Sequence, residues 1–113
     1  AMEEYPPNLP ASAAPYGLAT DANGFVHNGY NRSIAEDSDK QLIFLLGGST
    51  AEGLGASAND QTVAAHLERL LEKKAPGRCR VVNAGYHGRI TFTELGDLQG
   101  RILTRYWPRM VIA

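Results

Sequence analysis

One serine in this chain is placed by its neighbours for nucleophilic chemistry. Ser49 follows the apolar run Leu42-Ile43-Phe44-Leu45-Leu46 and the pair Gly47-Gly48. Two glycines permit a tight turn, which would leave the serine at the edge of a sheet with its hydroxyl exposed and its own N–H turned toward a developing oxyanion. A second stretch, Asn83-Ala84-Gly85-Tyr86-His87-Gly88, ends in a glycine whose N–H can approach a substrate with no Cβ in the way. The chemistry these types suit is acyl transfer, with Ser49 attacking a carbonyl and the N–H groups of Ser49 and Gly88 as oxyanion donors. A serine without a base has a high pKa and is a poor nucleophile.

Each of these residues also has a plainer reading. Ser49 could cap a helix or close a turn, Asn83 could bond backbone around its turn, and Gly85 reads as a turn glycine rather than a site residue. His87 is near the site but reads as a surface or packing residue. His27, His66 and His87 show no ligand spacing, so neither a metal site nor any other cofactor is expected. Gly53-Leu54-Gly55-Ala56-Ser57-Ala58 fits Gly-x-Gly-x-x-Ala and raises a dinucleotide-binding alternative. That motif should follow a strand directly and open a helix, whereas here it starts six residues past Gly47.

The elements that must position these groups follow from apolar patterning. Residues 42–46 form a continuous apolar run, as in a strand buried on both faces. Asn59-Asp60-Gln61-Thr62 offers N-cap candidates for a helix through about Lys74, with Val63, Leu67, Leu70 and Leu71 on its apolar face. Pro76-Gly77 ends it. Cys79 to Ala84 reads as a second strand. Thr91 and Glu94 form a capping-box pattern for a second helix burying Leu95, Leu98, Ile102 and Tyr106 and running to Trp107-Pro108. Met110 to Ala113 then begins a third strand. The order β-α-β-α-β implies a parallel sheet with right-handed crossovers. Residues 5–17 hold four prolines and read as an extended surface arm, and 21–40 as an irregular lead-in loop.

With 113 residues the chain suits one small domain or part of one. Eleven basic against twelve acidic residues give a formal charge of −1 and no basic cluster, which speaks against nucleic acid as a partner. No apolar run reaches the roughly 20 residues that span a bilayer. The start lacks a signal-like pattern, yet an export leader removed upstream of Ala1 is compatible with it, so the compartment stays open between cytoplasm and export. The lone Cys79 forms no internal disulfide and reads as a small buried hydrophobe.

Gly47-Gly48-Ser49-Thr50-Ala51-Glu52-Gly53 resembles the Gly-Asp-Ser-Leu-x-x-Gly first block of the SGNH/GDSL hydrolases, in a variant with Gly48 at the aspartate position. Val81-Val82-Asn83-Ala84-Gly85-Tyr86-His87-Gly88 resembles their second block, whose final glycine donates to the oxyanion hole. Pro108-Arg109-Met110-Val111-Ile112-Ala113 is similar to the Pro-Asp-x-Val-x-Ile strand before the third. The resemblance covers about residues 41–113, in matching order, and the loop from Asp21 to Tyr30 is similar to one with an Asn-x-x-Gly-Phe pattern that often precedes such domains. It implies a three-layer α/β sandwich of flavodoxin-like type, with the N-terminal β-α-β-α-β part in residues 41–113 after an arm and loop over 1–40. It also implies a serine esterase, lipase or acetylesterase acting on small-molecule or carbohydrate esters through an acyl-enzyme, without a cofactor. Ser49 would be the nucleophile, and Ser49 and Gly88 the oxyanion donors. The Gly-x-Asn-Asp and Asp-x-x-His blocks are not in the sequence. The expectation is therefore a split or processed hydrolase, inert by itself, whose Asn, Asp and His come from a complementary second chain. The competing class is a non-catalytic carbohydrate- or partner-binding module on the same fold.

Overall fold

Two strands dominate the interior because each buries side chains on both sides of a sheet, and a third, less buried strand flanks them. They are β1 (Gln41–Gly47), β2 (Cys79–Gly85) and β3 (Met110–Ile112). The computed structural model of the protein describes residues 4–87 and 98–113. All three strands are parallel, in the order β2-β1-β3, so the molecule is an α/β domain built on a three-stranded parallel sheet. The β1–β2 register runs from Gln41 opposite Cys79 to Gly47 opposite Gly85, and β3 sets Met110, Val111 and Ile112 opposite Ile43, Phe44 and Leu45. The strand readings from the sequence hold within a residue at either end.

Alternation along β1 sends its side chains into two cores. On one face Leu42, Phe44 and Leu46 pack with Val82, Ala84, Phe25, Ile34 and Ile102. On the other, Ile43 and Leu45 meet Val81 and Ala64, with Leu67, Leu71, Cys79 and Ile112 around them. Phe44 is fully buried, and a side chain of that kind contributes about 1.5–3 kcal/mol.

The second face is covered by α2 (Val63–Lys74). Its start is fixed by Thr62, whose Oγ1 accepts from the N–H of Ala65 at 3.2 Å, and Lys73 and Lys74 occupy its last turn where cations are favourable. The face that packs is rotated from the one the leucine spacing suggests: Val63 and Leu70 are more than half exposed, whereas Ala64 and Ala65 are buried. Two small residues let the helix lie close to the sheet. Glu68 on the packed side accepts from the N–H of Val81 at 2.9 Å and from the Tyr30 hydroxyl at 2.8 Å. An acceptor for an edge-strand N–H thus takes the place that another leucine would fill.

The first face is covered by the lead-in loop and the segment after residue 97. Val26 forms isolated antiparallel bridges with Thr20 and Asn83, which lays the loop against β2. Ser33 caps a 3₁₀ turn over Ile34–Asp37 through a capping box. Beneath it Arg80, 4% exposed, donates to Asp37 at 2.9 Å, to Asp21 at 3.4 Å and to the carbonyl oxygens of Arg32 and Ser33. Burial works to raise the Asp37 carboxyl, but hydrogen bonds from Arg80 and Arg32 outweigh it and hold the group below the usual carboxylate range.

The second helix differs from its expected form. Leu98–Ile102 is a single π-helical turn, and Tyr106 lies beyond it in irregular chain. Ile102 is fully buried, and Leu98 and Tyr106 pack on the first core as expected, but Trp107 is 95% exposed. The Thr91–Glu94 capping box and Leu95 lie outside the described residues. No helix among the described residues is long and apolar enough to cross a membrane.

Candidate active site

The carboxyl ends of β1 and β2 lie side by side, and the N–H of Tyr86 donates to the carbonyl of Gly47 at 3.0 Å, carrying the ladder one residue further. The chain leaves β1 through Gly48 into α1 (Ser49–Glu52), a single turn. Glu52 N–H bonds the Gly48 carbonyl at 3.0 Å, and the N–H groups of Gly53 and Leu54 both donate to the Ser49 carbonyl. Gly53 ends the turn at φ +131°, where a Cβ would stand 2.6 Å from Leu18 Cδ1 and 2.9 Å from Thr62 Cγ2.

Ser49 therefore sits at the first helical position and is half-buried. The capping position belongs to Gly48, and among the described residues no hydrogen bond engages the Ser49 hydroxyl. The plain reading of this serine as a cap is thereby removed. Its N–H is one of those that a helix cannot satisfy internally. Gly88 lies outside the described residues.

The sequence treats Gly85 as a turn glycine, but it is the last residue of β2 and its role is close approach. A Cβ on it would collide with the backbone nitrogen of Glu52 and lie 2.8 Å from the Ala51 carbonyl carbon. Asn83 completes this contact in the way expected of it, bonding backbone: its Nδ2 donates to the Glu52 carbonyl and its Oδ1 accepts from Gly85 N–H, both at 3.0 Å. Two residues of β2 thus fix the turn that carries Ser49.

The largest departure from the sequence reading is the environment of Glu52. Glu52 is 1% exposed, and its side chain accepts from the Tyr5 hydroxyl at 2.5 Å and from the backbone N–H of His87 at 2.6 Å. His87 Nδ1 lies 3.2 Å from the same carboxylate and 3.1 Å from the Tyr5 oxygen. Burial first, then the hydrogen bond to Glu52, push the Tyr5 hydroxyl far above its ordinary range, so it stays a protonated donor. The His87 ring stacks on Tyr86 at 4.5 Å between centroids and meets the edge of Tyr16 at 5.6 Å. The arm thus packs onto this cluster, with Tyr5 against Glu52, Tyr86 and His87 and Tyr16 against His87. No local sequence signal marks this cluster, whose members lie far apart along the chain.

The other histidines lie elsewhere. His27 Nδ1 accepts from Gly29 N–H at 3.1 Å, with burial lowering its imidazole, and exposed His66 contacts Arg69 at 2.8 Å. Among the described residues no group of three His, Cys, Asp or Glu side chains is placed to hold a metal ion. Residues 53–58 follow the α1 turn rather than a strand, and the helix begins only at Val63. A cavity of about 260 Å³ lined by Asn23, Ile34, Leu42, Arg105, Tyr106 and Trp107 opens at the amino end of β1, the opposite end from Ser49, and is no part of this site.

Comparison of the chain with protein-family models, curated proteins and solved structures gives no match. The functional reading thus rests on the site's own residues.

Proposed function

We propose that this chain carries the nucleophilic part of a serine hydrolase of the SGNH/GDSL type. The observation that carries the reading is Ser49: its hydroxyl serves no cap or turn among the described residues, and it stands just past the carboxyl end of the central strand. In open parallel α/β sheets ligands bind outside the carboxyl ends of the strands where the strand order reverses. The order β2-β1-β3 puts that reversal at β1, and it agrees with the first three strands of the flavodoxin-like order 2-1-3-4-5.

In this reading Ser49 Oγ attacks an ester carbonyl and forms an acyl-enzyme that water then hydrolyses. The N–H of Ser49 and, by resemblance, that of Gly88 stabilise the tetrahedral oxyanion; one such donor contributes about 2.7–4 kcal/mol. The oxyanion asparagine and the Asp/His pair of the resemblance come from polypeptide outside these 113 residues. The test is hydrolysis of short-chain aryl esters by the chain joined with a polypeptide bearing Gly-x-Asn-Asp and Asp-x-x-His. Ser49→Ala should lower kcat by at least about 10³-fold, and a variant turning over like the parent would end the proposal.

A further inference from the structure

The cavity at the amino end of β1 combines apolar walls with two cations. Ile34 and Leu42, both buried, line it together with Tyr106 and Trp107. Lys40 and Arg105 line it too, and none of its described lining residues is acidic. Both cations keep unused donors. Lys40 Nζ lies 3.7 Å from Asp37, whose two oxygens are already met at 2.9 Å by Arg32 and Arg80. Arg105 Nη1 lies 3.7 Å from a Glu4 oxygen that is 2.8 Å from Arg101. Such separations are beyond hydrogen-bond range, and among the described residues no hydrogen bond engages either cationic group.

The segments on both sides of the cavity are held in place. The Ser33 capping box fixes the turn that carries Ile34, and the N–H of Lys40 donates to the Asp37 carbonyl at 2.9 Å. In the other segment the N–H of Tyr106 donates to the Ile102 carbonyl at 2.9 Å, and that of Arg109 to the Leu42 carbonyl at 2.7 Å. Pro108 between them favours extended backbone at Trp107. A lone exposed tryptophan is ordinary on a protein surface. This one, 95% exposed, borders an apolar cavity, where a flat ligand would cover it.

We propose that this cavity binds a small aromatic carboxylate, with its ring among Ile34, Leu42, Tyr106 and Trp107 and with Lys40 and Arg105 supplying the cationic contacts. Its size suits one ring: an apolar cavity of about 150 Å³ admits benzene, and this one of about 260 Å³ has room for an acid group as well. Its charge suits an anion, because N–H donors on cations bond an ionised acceptor more strongly than a neutral one. Binding here is independent of any reaction at Ser49, which stands at the other end of β1.

The test is titration of the 113-residue chain with benzoate, followed in the ¹H–¹⁵N spectrum, where Trp107, the single tryptophan, gives one indole signal. Saturable shifts should appear at that indole and at the backbone of residues 34–42 and 105–107. Benzamide, acetate and inorganic phosphate should each bind about tenfold more weakly or worse, the first for lack of charge and the others for lack of a ring. The Lys40 and Arg105 side chains are 29% and 54% exposed, so methionine is accommodated at both positions. The double variant Lys40→Met/Arg105→Met should lose about tenfold or more in benzoate affinity and none for benzamide, whereas Ser49→Ala should bind benzoate as the parent does. No saturable shift at these residues, benzamide or phosphate bound as tightly as benzoate, or a double variant that binds benzoate like the parent would each overturn the inference. The ligand comparison on the parent chain decides even if the double variant fails to fold. Loss of benzoate binding in Ser49→Ala would place the ligand at the serine and overturn it as well.

Discussion

Replacing Gly85 by alanine separates two accounts of the site's foundation by the sign of the effect. Were Gly85 an ordinary strand glycine, alanine would stabilise the fold by about 0.5–1 kcal/mol, because glycine in a strand interior carries that conformational cost. The structure instead puts the new methyl onto the backbone of Ala51 and Glu52, 2.8 Å from one carbon and 2.9 Å from another. Backbone cannot swing aside as a side-chain tip can, so α1 must move off β2. Overpacking of this kind costs about 1–3 kcal/mol. Setting the 0.5–1 kcal/mol gain against it leaves a net loss of up to about 2.5 kcal/mol. At about 4–8 °C per kcal/mol for a small domain, the midpoint of thermal unfolding should fall by up to roughly 20 °C. The assay is paired thermal and urea unfolding, with Gly55→Ala as a control for a glycine at φ +86° that has open space around it. A Gly85→Ala protein more stable than the parent would show that β2 does not hold the Ser49 turn in this way.

Two further outcomes follow from the buried ion cluster. Arg80→Met removes the cation that meets Asp37 and Asp21 inside the fold and should cost about 3–5 kcal/mol by urea unfolding; a loss under about 1 kcal/mol would contradict it. The same cluster sets an acid limit. The folded Asp37 carboxyl titrates below its ordinary value of 3.8, so the unfolded chain takes up that proton first. Its contribution is complete above 3.8 and is lost as pH falls through the lower native value. Urea midpoints across this acid window should drop more steeply in the parent than in Asp37→Asn, and equal slopes would refute the assignment.

The parts of this fold readable from the sequence are those set by local pattern. A five-residue apolar run and two shorter ones gave the strands because burial on both faces needs continuous apolar residues. The start of α2 was readable from Thr62, since a cap acts within one turn. Its packed face was not, because leucine spacing says where apolar residues lie and not which side meets the sheet. Ala64 and Ala65 won through close approach, and Glu68 through the N–H of Val81. Ser49 was readable as a candidate from its glycines. The Tyr5–Glu52–His87 cluster was not: its contacts join residues 47, 35 and 82 positions apart, and no local pattern encodes them. An arginine in the apolar run of β2 was a signal for the Asp21–Asp37 pairing, because a buried charge requires partners.

The central claim is that Ser49 is an activated nucleophile once its complementary polypeptide is present. Fluorophosphonate labelling of that complete unit, followed by tryptic mapping, measures this directly. The account predicts one modified peptide, residues 41–69, with the adduct on Ser49 and its loss in Ser49→Ala. A complete unit left unlabelled, or labelled at another residue, would contradict it.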